Sequence, residues 1–133
     1  MIKSVCMNAL GLNSEDNTDN ASILVKMENG SSGVINYFSN GAKSYAKERL
    51  EVFSQEKVLI MDNFIKTSGY GFKDFSKLKT KLNKGHKAQF GQIVERIKQG
   101  SVELIPYEEL INVTKASFAA IQSLKEGSWQ KID

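Results

Sequence analysis

The sequence predicts an α+β fold, a predominantly antiparallel sheet of about five to seven strands with two main helices packed on one face. Three observations lead there. Strand-like segments fill the first part of the chain and helical segments the last, so the two types segregate. Asn29-Gly30 stands between two apolar runs, and both residues tolerate the positive φ of a type I′ hairpin turn. Beyond Phe90 the apolar period changes from two to nearly four.

The elements follow in order. Residues 2–7, I-K-S-V-C-M, alternate loosely as a strand, and 13–20, N-S-E-D-N-T-D-N, form a loop without an apolar residue. In 21–27, Ala21, Ile23, Val25 and Met27 share one strand face. Residues 33–38 return as the hairpin partner, with Val34 and Phe38 opposing Ile35 and Tyr37. Residues 49–53 and 57–62 make a second hairpin around Ser54-Gln55-Glu56, and 64–67 add a short strand. Leu78, Thr80 and Leu82 alternate with Lys77, Lys79 and Lys81 as a solvent-edge strand. Phe90, Ile93, Val94 and Ile97 are spaced for a helix ended by Gly100. Pro106 opens a second helix, with Glu108 and Glu109 complementing its dipole. Its stripe is Leu110, Val113, Ser117, Ala120 and Leu124, broadened by Ile111, Phe118 and Ile121, and Gly127 closes it. The small residues Ala116, Ser117, Ala119 and Ala120 suit close packing on a sheet.

A length of 133 residues favours one α+β domain over 1–133. A net charge of +3 is too mild to imply nucleic acid, and no apolar run of about 18 residues spans a membrane. The single Cys6 excludes an internal disulfide and suits a reducing compartment, so the expected location is cytoplasmic. Three Asn-x-Ser/Thr patterns begin at Asn20, Asn29 and Asn112, and without a secretion signal they read as coincidence.

Motifs of chemistry are sparse. Gly69-Tyr70-Gly71 suggests a dinucleotide fingerprint, but position 74 is Asp74 and strand-like sequence follows. One His and one Cys, Cys6 and His86, do not make a zinc site. His86 at a helix start reads as a side chain bonding nearby backbone rather than a catalytic group. Lysines at 73, 77, 79, 81, 84 and 87 form a basic run, a solvated face in the first reading and a phosphate or nucleic-acid contact in the second. The polar loop holding Asn40, Lys43, Tyr45 and Lys47 either lines a sugar site or is an ordinary solvated turn.

Several segments taken together carry a resemblance: D-N-A-S-I-L-V-K-M-E-N-G-S-S-G-V-I-N-Y-F (19–38), K-E-R-L-E-V-F-S (47–54), V-L-I-M-D-N-F (58–64), G-H-K-A-Q-F (85–90) and I-P-Y-E-E-L-I-N-V-T-K-A-S-F-A-A-I-Q-S-L (105–124). In this order, over residues 17 to 130, the chain resembles the C-terminal domain of the glucose–fructose oxidoreductase / inositol dehydrogenase / rhizopine catabolism (Gfo/Idh/MocA) family. The resemblance implies a separate Rossmann domain that holds NAD or NADP. It also implies hydride transfer to or from a sugar or cyclitol, in bacterial carbohydrate or surface-polysaccharide metabolism. The family's E-K-P lysine and Asp-x-x-x-His pair have no match here, so the chain is expected to carry no catalytic, cofactor-binding or metal residue and to be inactive alone. The family's substrate loop maps onto Asn40, Lys43, Tyr45 and Lys47.

The leading expectation is a substrate-binding and oligomerisation domain of an NAD(P)-dependent oxidoreductase. The alternative is a free-standing carbohydrate-binding or scaffold module without catalysis. The strands are apolar on both sides, so a homo-oligomer through the open sheet face is expected. Ile35 and Tyr37 are expected on that face, away from the helices.

Overall fold

The computed structural model describes residues 1–11, 18–100 and 103–133. Its elements are β1 (Ile2–Ala9), β2 (Asn20–Met27), β3 (Ser32–Phe38), β4 (Arg49–Ser54), β5 (Lys57–Asp62), β6 (Lys66–Tyr70), β7 (Lys77–Lys79), α1 (His86–Lys98), α2 (Tyr107–Glu126) and β8 (Gln130–Lys131). The class is α+β and every strand pairing is antiparallel. The strands are divided between two four-stranded sheets, ordered β3-β2-β1-β8 and β4-β5-β6-β7. Local hairpins account for most of these pairings, and the segment from Ser39 to Glu48 is no tight hairpin turn. The chain forms two compact units, Met1–Gly41 with Val102–Asp133, and Ala42–Ser101. The expected polar loop at 13–20 lies largely outside the described residues.

The first unit is built on β1 and β2. Their alternation buries Val5, Met7, Ala9, Ala21 and Val25 on one face, against Ala116 and Ala120 of α2. The contact face of α2 is thus its line of small side chains, with Ser123 at its end. Leu110, Val113 and Phe118, expected in the packed stripe, are exposed. Small side chains bring the helix axis close to the sheet, where Val5 and Met7 fill the space between.

Polar groups complete the unit. The Asn112 side chain accepts from the Ile2 N–H at 2.7 Å and donates to the Ile2 carbonyl at 3.0 Å. Ser123, fully buried, accepts from the Met7 N–H at 2.9 Å and donates to the Ser128 carbonyl at 2.6 Å. The register makes sense of this. β8 pairs Val5 with Gln130, and Ile132 N–H bonds the Lys3 carbonyl. The next rung would join Met7 to Ser128, and the Ser123 hydroxyl is inserted between those two groups.

Register also assigns faces. Ile35 is opposite Ile23 and Tyr37 opposite Ala21, so both lie on the α2 side of the sheet. This corrects the expectation that they face away from the helices. Alternation had set Val34 and Phe38 against them, but only pairing with β2 says which set is which. The side away from α2 carries Leu24, Val34, Phe38 and Lys26, whose ammonium sits 4.7 Å from the Trp129 ring centroid.

In the second unit, the turn Gln55-Glu56 joins the paired Ser54 and Lys57 with both residues at positive φ, 49° and 60°, as a two-residue type I′ hairpin needs. Asn63 and Phe64 also have positive φ, 50° and 55°, but they sit in a three-residue loop, because Asp62 pairs with Lys66, and the Ile65 N–H bonds the Asp62 carbonyl. The second turn explains why the strand expected from Phe64 begins at Lys66. β7 ends where Thr80 bonds back, its N–H to the Ile65 carbonyl and its hydroxyl to the Phe64 carbonyl. Gly69 and Gly71 have structural roles. A Cβ at Gly69 would run into the Phe75 and Phe72 rings. At Gly71, with φ +75°, a Cβ would stand 2.6 Å from the Glu56 carbonyl oxygen. Helix α1 buries none of its residues, so among the described residues α2 is the helix that packs on a sheet.

Candidate functional site

The four residues singled out in the sequence fall on either side of the unit boundary. Asn40 belongs to the first unit, and Lys43, Tyr45 and Lys47 to the second. All four are exposed, Tyr45 at 72 %.

Asn40 follows a polar knot at the end of the β2–β3 hairpin. The Asp19 carboxylate accepts from the Ser39 hydroxyl at 2.5 Å and from the Asn20 amide at 2.7 Å. The Asn40 N–H donates to the Asn20 side-chain oxygen at 3.2 Å. These bonds fix where the chain leaves β3 and leave the Asn40 side chain in solvent. The three glycosylation-like asparagines all have structural partners: Asn20 here, Asn112 on β1, and Asn29, which accepts from the Ser31 N–H at 3.0 Å in the turn.

In the second unit, Lys43, Tyr45 and Lys47 lie on one short segment. The Tyr45 N–H bonds the Ala42 carbonyl at 2.9 Å, and the Glu48 carbonyl accepts from the Asn63 N–H at 2.7 Å. The first bond makes a turn at Tyr45, and the second ties the segment's end to the β5–β6 turn. Beyond it stands a residue that the sequence reading missed. Arg49 donates through Nε to Glu51 at 2.8 Å and through Nη1 to Asp62 at 2.9 Å. The hydrogen bond to Glu51 and then its charge raise the guanidinium pKa above its ordinary value, with desolvation opposing and smaller contributions from Asp62 and the Tyr45 phenol. Arg49 is therefore a cation held between two carboxylates. Arg49 and Glu51 share a strand face, and the two-residue turn at Gln55-Glu56, which no glycine marks in the sequence, sets Asp62 opposite Arg49.

The chemistry on offer is hydrogen bonding. A phenol, two ammonium groups and a guanidinium can donate to hydroxyl oxygens of a polyol. The other face of this sheet has a shallow hollow of ≈ 140 Å³ lined by Val52, Ser54, Gln55, Lys57, Leu59 and Phe72, with the Lys57 ammonium 5.6 Å from the Phe72 ring centroid. His86 begins α1, exposed, and its side chain makes no hydrogen bond among the described residues. Among the described residues no group of three His, Cys, Asp or Glu side chains is placed to hold a metal ion, and no helix is long and apolar enough to cross a membrane.

Among solved structures, the chain is similar to levoglucosan dehydrogenase in complex with NADH and levoglucosan, with a TM-score of 0.79 and 13% sequence identity. The match covers 98% of this chain and 45% of the dehydrogenase, so the chain spans less than half of that protein's length. At that identity the likeness establishes the fold. No family model and no curated protein matches the chain.

Proposed function

We propose that the chain is the substrate-side and oligomerisation domain of an NAD(P)-dependent sugar or cyclitol oxidoreductase of the Gfo/Idh/MocA type. In this reading a separate Rossmann domain holds the nicotinamide cofactor. The observation that carries the reading is the fold similarity, over nearly the whole chain, to a dehydrogenase described with NADH and a sugar. The ordered resemblance of segments 19–38, 47–54, 58–64, 85–90 and 105–124 supports it independently.

Within this reading Lys43, Tyr45 and Lys47 of the second unit, with Arg49 on the same unit, supply hydrogen bonds to substrate hydroxyls, and hydride transfer takes place at the cofactor of the other domain. The sheet of the first unit supplies a contact between subunits. Its side away from α2 carries Leu24, Val34, Phe38 and Trp129, all more than 40 % exposed, and a self-complementary face closes a dimer.

Two measurements test the reading. The coding sequence preceding Met1 is expected to continue in frame through a strand–G-x-G-x-x-G–helix segment. Calorimetric titration of this chain with NADH and NADPH is expected to give no binding heat. Micromolar affinity for either would place the cofactor here and overturn the assignment.

A further inference from the structure

We propose that β3 is a docking edge at which a second copy of the chain adds its own β3, antiparallel, about a twofold axis through Ile35. A free strand edge presents unpaired N–H and C=O groups, and proteins blunt such edges with charge or by keeping them short. Three of the four sheet edges follow that rule. β8 has two residues, β7 carries Lys77 and Lys79, and β4 carries Arg49 and Glu51. β3 does not. It runs seven residues, S-G-V-I-N-Y-F, without a charge or a proline, and is exposed throughout.

The hydrogen-bond phase of β3 defines what the edge offers. Met27 N–H bonds the Ser31 carbonyl and Ser39 N–H bonds the Asp19 carbonyl, so the odd-numbered residues of this strand direct their backbone groups to β2. Ser32, Val34, Asn36 and Phe38 direct theirs outward.

Placing Ile35 opposite its own counterpart makes the strand self-complementary. Ser32 meets Phe38 and Val34 meets Asn36 as hydrogen-bonded pairs, so every outward-facing group finds another. Ile35 with Ile35, and Gly33 with Tyr37, become the closer pairs without hydrogen bonds. The Tyr37 ring of one copy then covers Gly33 of the other, a pairing that compensates for glycine in a strand. Ile35 and Tyr37, 56 % and 63 % exposed on the α2 side, are covered by the added strand. The absence of charge offers nothing to an acidic or basic peptide, and the symmetric register favours a second copy. This edge contact is separate from the sheet-face association proposed above.

The test uses the full chain. In a Cys6→Ser background, Ile35→Cys places two thiols across the axis on Cα atoms about 4.5 Å apart, within disulfide reach. Mild oxidation is expected to give a covalent dimer in high yield, and Asn36→Cys, which faces Val34, a much lower one. By sedimentation equilibrium at micromolar concentration the wild type is expected to be a dimer or larger. Ile35→Lys, with an unchanged far-ultraviolet circular dichroism spectrum, is expected to lose that contact and fall in mass. A monomeric wild type overturns the proposal. So does an assembly that survives Ile35→Lys, resists cross-linking at residue 35 and is dissociated by Leu24→Glu, a result that would leave the face contact standing.

Discussion

Replacing Ser123 with alanine should destabilise the first unit far more than the loss of one oxygen suggests. The hydroxyl is fully buried and occupies the rung between Met7 N–H and Ser128 C=O, where β8 would otherwise pair with β1. Alanine leaves those two groups too far apart to bond directly. A buried donor without a partner costs about 1–3 kcal/mol, and the second lost bond adds about 0.5–1.5 kcal/mol. The expected loss is therefore about 1.5–4.5 kcal/mol, a large share of a small domain's stability. Urea unfolding followed by the fluorescence of Trp129, the single tryptophan, reads this unit, because Trp129 lies between Ser128 and β8. The midpoint should fall with the slope unchanged, which marks a change in stability rather than in the denatured state. Ser123→Cys nearly keeps the volume but bonds weakly, so it should fall between wild type and alanine. A loss below about 0.5 kcal/mol in Ser123→Ala, the range of ordinary surface substitutions, would refute the inserted-rung account.

Other outcomes follow from the same geometry. Gly71→Ala should lower the thermal midpoint of the second unit, because positive φ and the Glu56 carbonyl both exclude a Cβ; the cost is about 1–3 kcal/mol for the backbone strain alone. Tyr45→Phe should leave stability unchanged, since the ring is exposed. If the proposed function holds, it should reduce kcat/KM of the intact enzyme by about 2- to 10-fold, the equivalent of one neutral hydrogen bond of about 0.5–1.5 kcal/mol. Wild-type turnover would make Tyr45 a surface residue. The Glu126 carboxylate is held below its ordinary pKa by hydrogen bonds, first from Gln122 and then from Gln130. A lowered folded-state value means that its contribution is present above the unfolded pKa and is lost as pH falls through the folded one. Gln122→Ala should move the Glu126 carboxyl titration upward when followed by NMR.

The fold class was legible because strand and helix periods differ and occupy different parts of the chain. Asn29-Gly30 announced its hairpin through the residue types a type I′ turn prefers. Gln55-Glu56 and Asn63-Phe64 turn at positive φ without glycine, so the first was placed loosely and the second missed. β8 has no period to read: its two residues join the sheet because the chain after α2 returns alongside β1. The packed face of α2 was read in part. Ala116 and Ala120, expected to allow close packing, do lie on the sheet, but Leu110, Val113 and Phe118, picked out by hydrophobic size, are exposed, and Ser123 was not foreseen. Size is a property of one residue, and spacing belongs to the pair of elements.

The same distinction governs the candidate site. Residue type made Tyr45, Lys43 and Lys47 visible, since an exposed phenol and amines on a polar loop are hydrogen-bond donors wherever they sit. Arg49 was invisible as a site residue because its character comes from its partners. Glu51 lies two positions along its own strand, and Asp62 lies across a ladder whose register depends on a turn with no glycine to mark it. Without those carboxylates Arg49 would be a mobile surface cation, at the cost of side-chain entropy for any contact it made. Held by both, it would meet a ligand of the proposed site already ordered, which is what gives a fixed donor its advantage in binding. In the proposed site the two roles to separate are therefore that of the Tyr45 hydroxyl, as a direct bond to substrate, and that of Arg49, held by its two carboxylates. Removing the Asp62 carboxylate should loosen Arg49 while leaving the Tyr45 hydroxyl in place, so Asp62→Asn separates the two roles. If its effect on substrate affinity equals that of Tyr45→Phe and the double variant is no worse than either, the two act as one unit; additive losses would show that Arg49 meets the ligand by itself.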